Sequence, residues 1–263
     1  MDGILQKSAE NRKKNLLESL FVEMSKAAEM DNKSQLNSYM FLAEKYREEI
    51  SCHFAILRDA KEKLNHSGFN QVMYSVLSSV SKEELRQVAD FFISDLKDSE
   101  YGRDIYRLAL EKNPSPEVLV ELLDSVTASL PEEELICEVM SKIIQKIKEV
   151  ESVKFYSSVE TALSKLKSRH CQIRFIMDLY VERRSYRDRY KISALVYNVL
   201  GDRKWALELC EMSLKNVSCH DPSFMMDAAR HLYRLTGDGT MSMPPVEIYM
   251  KIMENINKEE EQS

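Results

Sequence analysis

Glycine and proline are scarce in this chain, six of each among 263 residues, too few for the many tight turns of a β-rich protein. Tryptophan occurs once and cysteine five times. An odd number of widely spaced cysteines reads as reduced thiols rather than a disulfide framework. No apolar run approaches the roughly 20 residues that a bilayer span needs, so no membrane role is expected. The opening MDGILQKSAENRKK lacks the apolar stretch of a secretory signal. A cytoplasmic setting is the expectation, with the nucleus as the alternative. Positive charge is also in short supply. The net charge of −6 argues against general nucleic-acid binding, which needs a basic surface.

Motifs for chemistry are missing as well. The pairs Cys52-His53, His170-Cys171 and Cys219-His220 catch the eye, but zinc ligands come two to four residues apart and then again in a second pair. Adjacent residues on a helix point in different directions and chelate poorly. No Gly-rich phosphate loop is present, and Gly237-Asp238-Gly239 reads as a corner. The expectation is a protein that is not an enzyme, with no catalytic residues, no metal and no cofactor.

What is present is helical material. The chain is 44% hydrophobic and 30% charged, and rich in Leu, Glu, Lys, Met and Ala, all good helix formers. An all-α fold is expected. Leu16, Leu17, Leu20, Phe21 and Met24 mark an amphipathic helix from about 8 to 30. A second, long helix is expected from Ser34 to about His66. In it Ala43, Ile50, Leu57 and Leu64 recur every seven residues, as in helices packed along their length. The stretch 1–66 is thus expected to form a long antiparallel helical hairpin, or alternatively a coiled coil that makes a homodimer. His66-Ser67-Gly68 marks the domain boundary, with residues 67–263 beyond it.

From there a period appears. Ser81 and Glu84 form a capping box. First helices are expected near Ser81, Glu117, Ser152, Arg187 and Asp221, and second helices near Glu100, Pro131, Arg169, Asp202 and Pro245. A repeat of roughly 34 residues is what stacked helical hairpins require. The last helix, Val246 to about Ile256, and the acidic tail Lys258-Glu261 would close the stack. The fourteen methionines are read first as core filling. Met241–Pro245 is a loop, either a long corner or a contact point.

The stretch from Tyr190 to Leu214 is the most regular. Tyr190, Ala194 and Tyr197 lie on one helical face, Gly201-Asp202 makes a corner, and Ala206, Cys210 and Ser213 lie on the return face. These places resemble the tetratricopeptide repeat: an aromatic, a small residue four on, an aromatic three later, Gly-Asp, then small, aromatic and small. Ser193, Cys210 and Ser218 stand where that family carries Leu, an aromatic and Pro. The resemblance implies a tetratricopeptide-like α-α superhelix after the N-terminal hairpin. It also implies a non-enzymatic adaptor or scaffold for protein–protein interaction, receiving a peptide or helix on the face lined by first helices.

Charge is uneven. Residues 81–151 hold seventeen acidic and nine basic side chains, whereas residues 165–191 hold nine basic and three acidic. Arg183, Arg184, Arg187 and Arg189 are interleaved with Tyr186 and Tyr190. Such a cluster suits an acidic or phosphorylated segment of a partner protein, a nucleic-acid backbone, or a solvated turn paired with acidic neighbours. Arg183, Arg184, Arg187, Arg189, Tyr190 and Tyr197 are the candidate partner-binding residues.

Overall fold

The structure is a computed structural model that describes residues 2–28, 32–150, 154–214 and 222–236. Among the described residues it is all-α, with thirteen α-helices and no strand. Met1–Pro114 packs as one compact unit and Ser115–Ser263 as another. The first unit holds α1 (Asp2–Ala28), α2 (Asn32–Lys45), α3 (Ile50–Lys63), α4 (His66–Ser79), α5 (Leu85–Ser94) and α6 (Ser99–Glu111). The second holds α7 (Pro116–Ser129), α8 (Glu133–Gln145), α9 (Phe155–Lys165), α10 (Arg169–Glu182), α11 (Tyr186–Leu195), α12 (Arg203–Leu214) and α13 (Pro222–Thr236).

The helices alternate in role. In the first unit α1 packs on α2 and α3, α2 on α4, α3 on α4, and α5 on α6. In the second, α7 packs on α8 and α9, α8 on α10, and α11 on α9, α12 and α13. First helices therefore meet first helices and second meet second, an arrangement compatible with a helical repeat. From α6 onward the second helices begin at Ser99, Glu133, Arg169 and Arg203, a nearly constant interval of the size that one hairpin occupies. The expected helix and loop at Pro245 and Met241, the acidic tail, and Cys219-His220 lie outside the described residues.

Local chemistry explains many of the ends. Ser81 and Glu84 form the reciprocal capping box: Ser81 N donates to Glu84 Oε2 at 2.9 Å and Glu84 N to Ser81 Oγ at 3.3 Å. Asn65, Asp98, Ser115, Ser168 and Ser185 cap α4, α6, α7, α10 and α11 by accepting a free first-turn N–H. At the central corner Gly201 takes a left-handed φ of 66° after a π-helical turn, Val196–Leu200. Asp202 Oδ1 then accepts from Trp205 N at 3.0 Å to start α12. Pro131 precedes α8 by two residues instead of occupying its first turn.

The expected long helix from Ser34 to His66 is two helices. The chain turns between Lys45 and Ile50, and the seven-residue series is split, with Ala43 on α2 and Leu57 on α3. The reason is tertiary. His53, fully buried on α3, donates from Nε2 to the carbonyl of Ala43 at 3.0 Å. That bond satisfies one of the carbonyls that a helix C-terminus leaves unpaired. The buried tyrosine Tyr46 (7% exposed) closes the turn. A continuous seam for a coiled-coil dimer is therefore not formed by this stretch. A break does fall near 66, yet α2 and α3 pack directly on α4 beyond it.

The core of the first unit is aromatic where α4, α5 and α6 meet. Phe69, Phe91 and Tyr101 surround Phe92, with ring centroids 6.1, 6.3 and 5.7 Å away. Gly102 lets α6 approach α5: a Cβ there would overlap Ile93 Cγ1 and stand 3.3 Å from the Ala89 carbonyl oxygen. Gly102→Val should therefore destabilise the protein by about 1–3 kcal/mol, the usual cost of overpacking. Chemical denaturation monitored by far-UV circular dichroism would show it as a lower midpoint; an unchanged midpoint would mean that α5 and α6 separate without cost.

Candidate protein-interaction site

Along the first three first-helices, one face of each points into a common groove of about 550 Å³. Four-residue steps place Lys13, Leu17 and Phe21 on that face of α1. The same stepping places Ser51, Phe54, Ala55 and Arg58 on α3 and Gln87, Asp90, Phe91 and Ser94 on α5. Phe54 and Phe91 stack at 4.5 Å with rings 7° from parallel and form the floor. Arg58 lies 5.5 Å above the Phe91 ring and reaches Asp95 at 2.7 Å, so its charge is already neutralised along the edge. Asp90 is held by the Tyr106 hydroxyl and, at 3.2 Å, by Arg86.

Phe21 lines the same groove with 52% of its surface exposed. The combination is apolar below and polar at the edges, the pattern of grooves that hold an amphipathic helix. A second groove, about 630 Å³ between α2 and α4, is lined by Met40 and Tyr74 but also by Ser75, Ser78 and Ser79, and is more polar.

The residues singled out from the sequence lie in the second unit, in three different settings. Tyr190 on α11 and Tyr197 in the π-helical turn after it are half-buried beside α13. The Tyr190 ring meets Phe224 at 5.5 Å and His231 at 5.4 Å, edge to face, and Tyr197 meets His231 at 6.4 Å. The Tyr190 hydroxyl donates to the Asp227 carbonyl at 3.3 Å. Burial, followed by the charge of Asp227, raises its pKa, so it stays protonated. Arg183 ends α10 and is turned inward: it donates to the Val150 carbonyl and lies 5.9 Å over the Phe155 ring. Arg189 is half-buried. Arg184 and Arg187 are exposed; Arg184 Nε donates to the Val181 carbonyl at 3.0 Å and Arg187 lies 5.9 Å from the Tyr186 ring. Asp188 accepts from Tyr156 at 2.7 Å, tying α11 to α9.

Beneath the two tyrosines sits a buried polar pair. Ser193 Oγ is 2.6 Å from the Ala206 carbonyl, to which it donates, and 2.9 Å from His231 Nε2. With the hydroxyl proton committed to Ala206, the ring must donate from Nε2, which fixes the neutral tautomer. Burial first, and then the charge of Arg234, pushes the His231 pKa down to about 4. Among the described residues no group of three His, Cys, Asp or Glu is placed to hold a metal ion, and no helix is long and apolar enough to cross a membrane.

The groove residues Phe21, Phe54, Phe91 and Arg58 escape a sequence reading because three distant segments contribute them. One available signal is the stepping of Lys13, Leu17 and Phe21, followed into α3 and α5. Compared with family models, with curated proteins and with solved structures, the chain matches none.

Proposed function

We propose that this protein is a non-enzymatic adaptor that binds an amphipathic helix of a partner protein in the groove of α1, α3 and α5. The observation carrying this reading is the exposed Phe21 in the same groove as the stacked Phe54–Phe91 pair. The Phe21 ring, left open to water, gains by docking against a helix's apolar stripe. Polar neighbours such as Ser51 and Gln87 would set the docked helix's orientation. The mechanism is equilibrium binding in a cytoplasmic or nuclear setting, in keeping with the tetratricopeptide-like spacing of the helices.

The test is capture of partners by the native chain against a Phe21→Ala variant. Central aromatic contacts cost about 2 kcal/mol or more when truncated, so affinity should fall about 30-fold. Unchanged affinity would remove the groove from the reading. A second surface is carried by a specific observation, the exposure of Arg184 and Arg187. It suits an acidic or phosphorylated segment of the same or another partner. Arg184→Glu with Arg187→Glu should abolish that binding and leave the groove partner in place. Binding lost on nuclease treatment would instead favour a nucleic-acid backbone.

A further inference from the structure

Two of the described cysteines, Cys52 and Cys210, are buried, while Cys137 and Cys171 are half-buried. Cys137 lies on α8 and Cys171 in the first turn of α10, and these two helices pack together. Their register is held by a hydrogen bond one turn earlier, where Ser168 N donates to Glu133 Oε1 at 3.0 Å. Cys137 follows Glu133 by four positions and Cys171 follows Ser168 by three, so each thiol rides on the next turn beyond that bond. The packing of α8 on α10 and this register bring Cys137 and Cys171 to neighbouring places on the two helices. Burial, with Cys171 alongside, pushes the Cys137 thiol up to about 11, so it rests protonated at neutral pH.

We propose that Cys137 and Cys171 form a redox-closable thiol pair that a small-molecule disulfide converts into a covalent bridge between α8 and α10. One thiol loses its proton and attacks a sulfur of the small disulfide, forming a mixed disulfide and releasing one small thiolate. The second protein thiol then attacks the protein-side sulfur and expels the second small thiolate. The protein pair is oxidised by two electrons, the small disulfide is reduced, and the two protein protons end on the two released thiols. The bridge staples the second helices of successive hairpins, α8 and α10. On α10 it sits two positions before the exposed series Ile173, Met177 and Val181, and so fixes the base of that face.

The experiment uses the full chain, native, incubated with oxidised glutathione and read by intact mass, non-reducing peptide mapping and thermal melting. Expected are a loss of about 2 Da, one linked peptide pair carrying Cys137 and Cys171, and a Tm higher by about 5–10 °C that dithiothreitol reverses. Phenylarsine oxide, which spans two neighbouring thiols, should bind one to one and protect the pair from alkylation. Cys137→Ser and Cys171→Ser should each retain a single glutathione adduct on the remaining thiol and lose arsenical uptake. Stable adducts on both thiols of the native chain without a link, or a link to Cys52, Cys210 or Cys219, would overturn the proposal. The map of the unmutated protein decides even where a serine variant does not fold.

Discussion

Phe92→Ala should lower stability by about 3–5 kcal/mol, the cost of removing a fully buried ring from a core that cannot collapse around the loss. Phe92 has no exposed surface and stands between Phe69 of α4, Phe91 of α5 and Tyr101 of α6. Its removal leaves a cavity and ends three ring contacts together. Two further bonds depend on the same packing: Lys61 Nζ to Asp98 at 3.0 Å and the Tyr101 hydroxyl to Asn70. Hydrogen exchange is the informative measurement, because it resolves the first unit. Protection of amides in α4, α5 and α6 should fall by about 100-fold or more. Retained protection there would mean that the aromatic cluster fills space without holding the helices.

Acid should destabilise the second unit through His231. In the folded protein its pKa is about 4, while an unfolded histidine titrates near about 6.5. Between those values the unfolded chain binds a proton that the folded chain refuses, so stability rises with pH across this window. The contribution is complete above about pH 6.5 and falls steadily as pH drops toward 4, a loss of about 3 kcal/mol. His53 in the first unit, also buried and pushed down in pKa, acts in the same direction there.

Trp205, the single tryptophan, lies on α12 and reports the second unit by its fluorescence. Denaturation midpoints at pH 7.5 and pH 5 should differ for the native chain. His231→Gln keeps a donor for Ser193 without a titrating group, and should flatten most of that difference. An equal slope in the variant would place the acid sensitivity elsewhere.

The legible parts of the fold were the ones built from local chemistry. The Ser81–Glu84 box and the Gly201-Asp202 corner depend on residues within four positions of each other. In the second unit the period of the pattern places second-helix starts near Arg169 and Asp202, where α10 and α12 begin at Arg169 and Arg203. The turn between Lys45 and Ile50 was not legible, because Tyr46-Arg47-Glu48-Glu49 contains no glycine or proline. It is stabilised by His53 bonding back to Ala43 from the next helix.

The candidate site divides in the same way. Arg184 and Arg187 are exposed, consistent with a charged turn. The periodicity makes Tyr190 and Tyr197 candidates for a partner-facing surface, and in the structure α13, farther along the chain, brings Phe224 and His231 against their rings. The alternation that marks a helix face cannot say whether the face meets another helix of the same chain or a ligand. The groove of α1, α3 and α5 was hidden for a related reason, since Phe54 and Phe91 become neighbours only after α3 and α5 have packed.

The most direct measurement for the docked helix is site-specific photo-crosslinking from both sides of the first unit. A photoreactive phenylalanine is placed at Gln87 at the edge of the groove, and in a second protein at Tyr74 on the α2–α4 face. A helix held over Phe54 and Phe91 predicts partner crosslinks from position 87 at three- and four-residue intervals along one partner segment, lost with Phe21→Ala, and none from position 74. Crosslinks from position 74 alone, or from position 87 undiminished by Phe21→Ala, would contradict it.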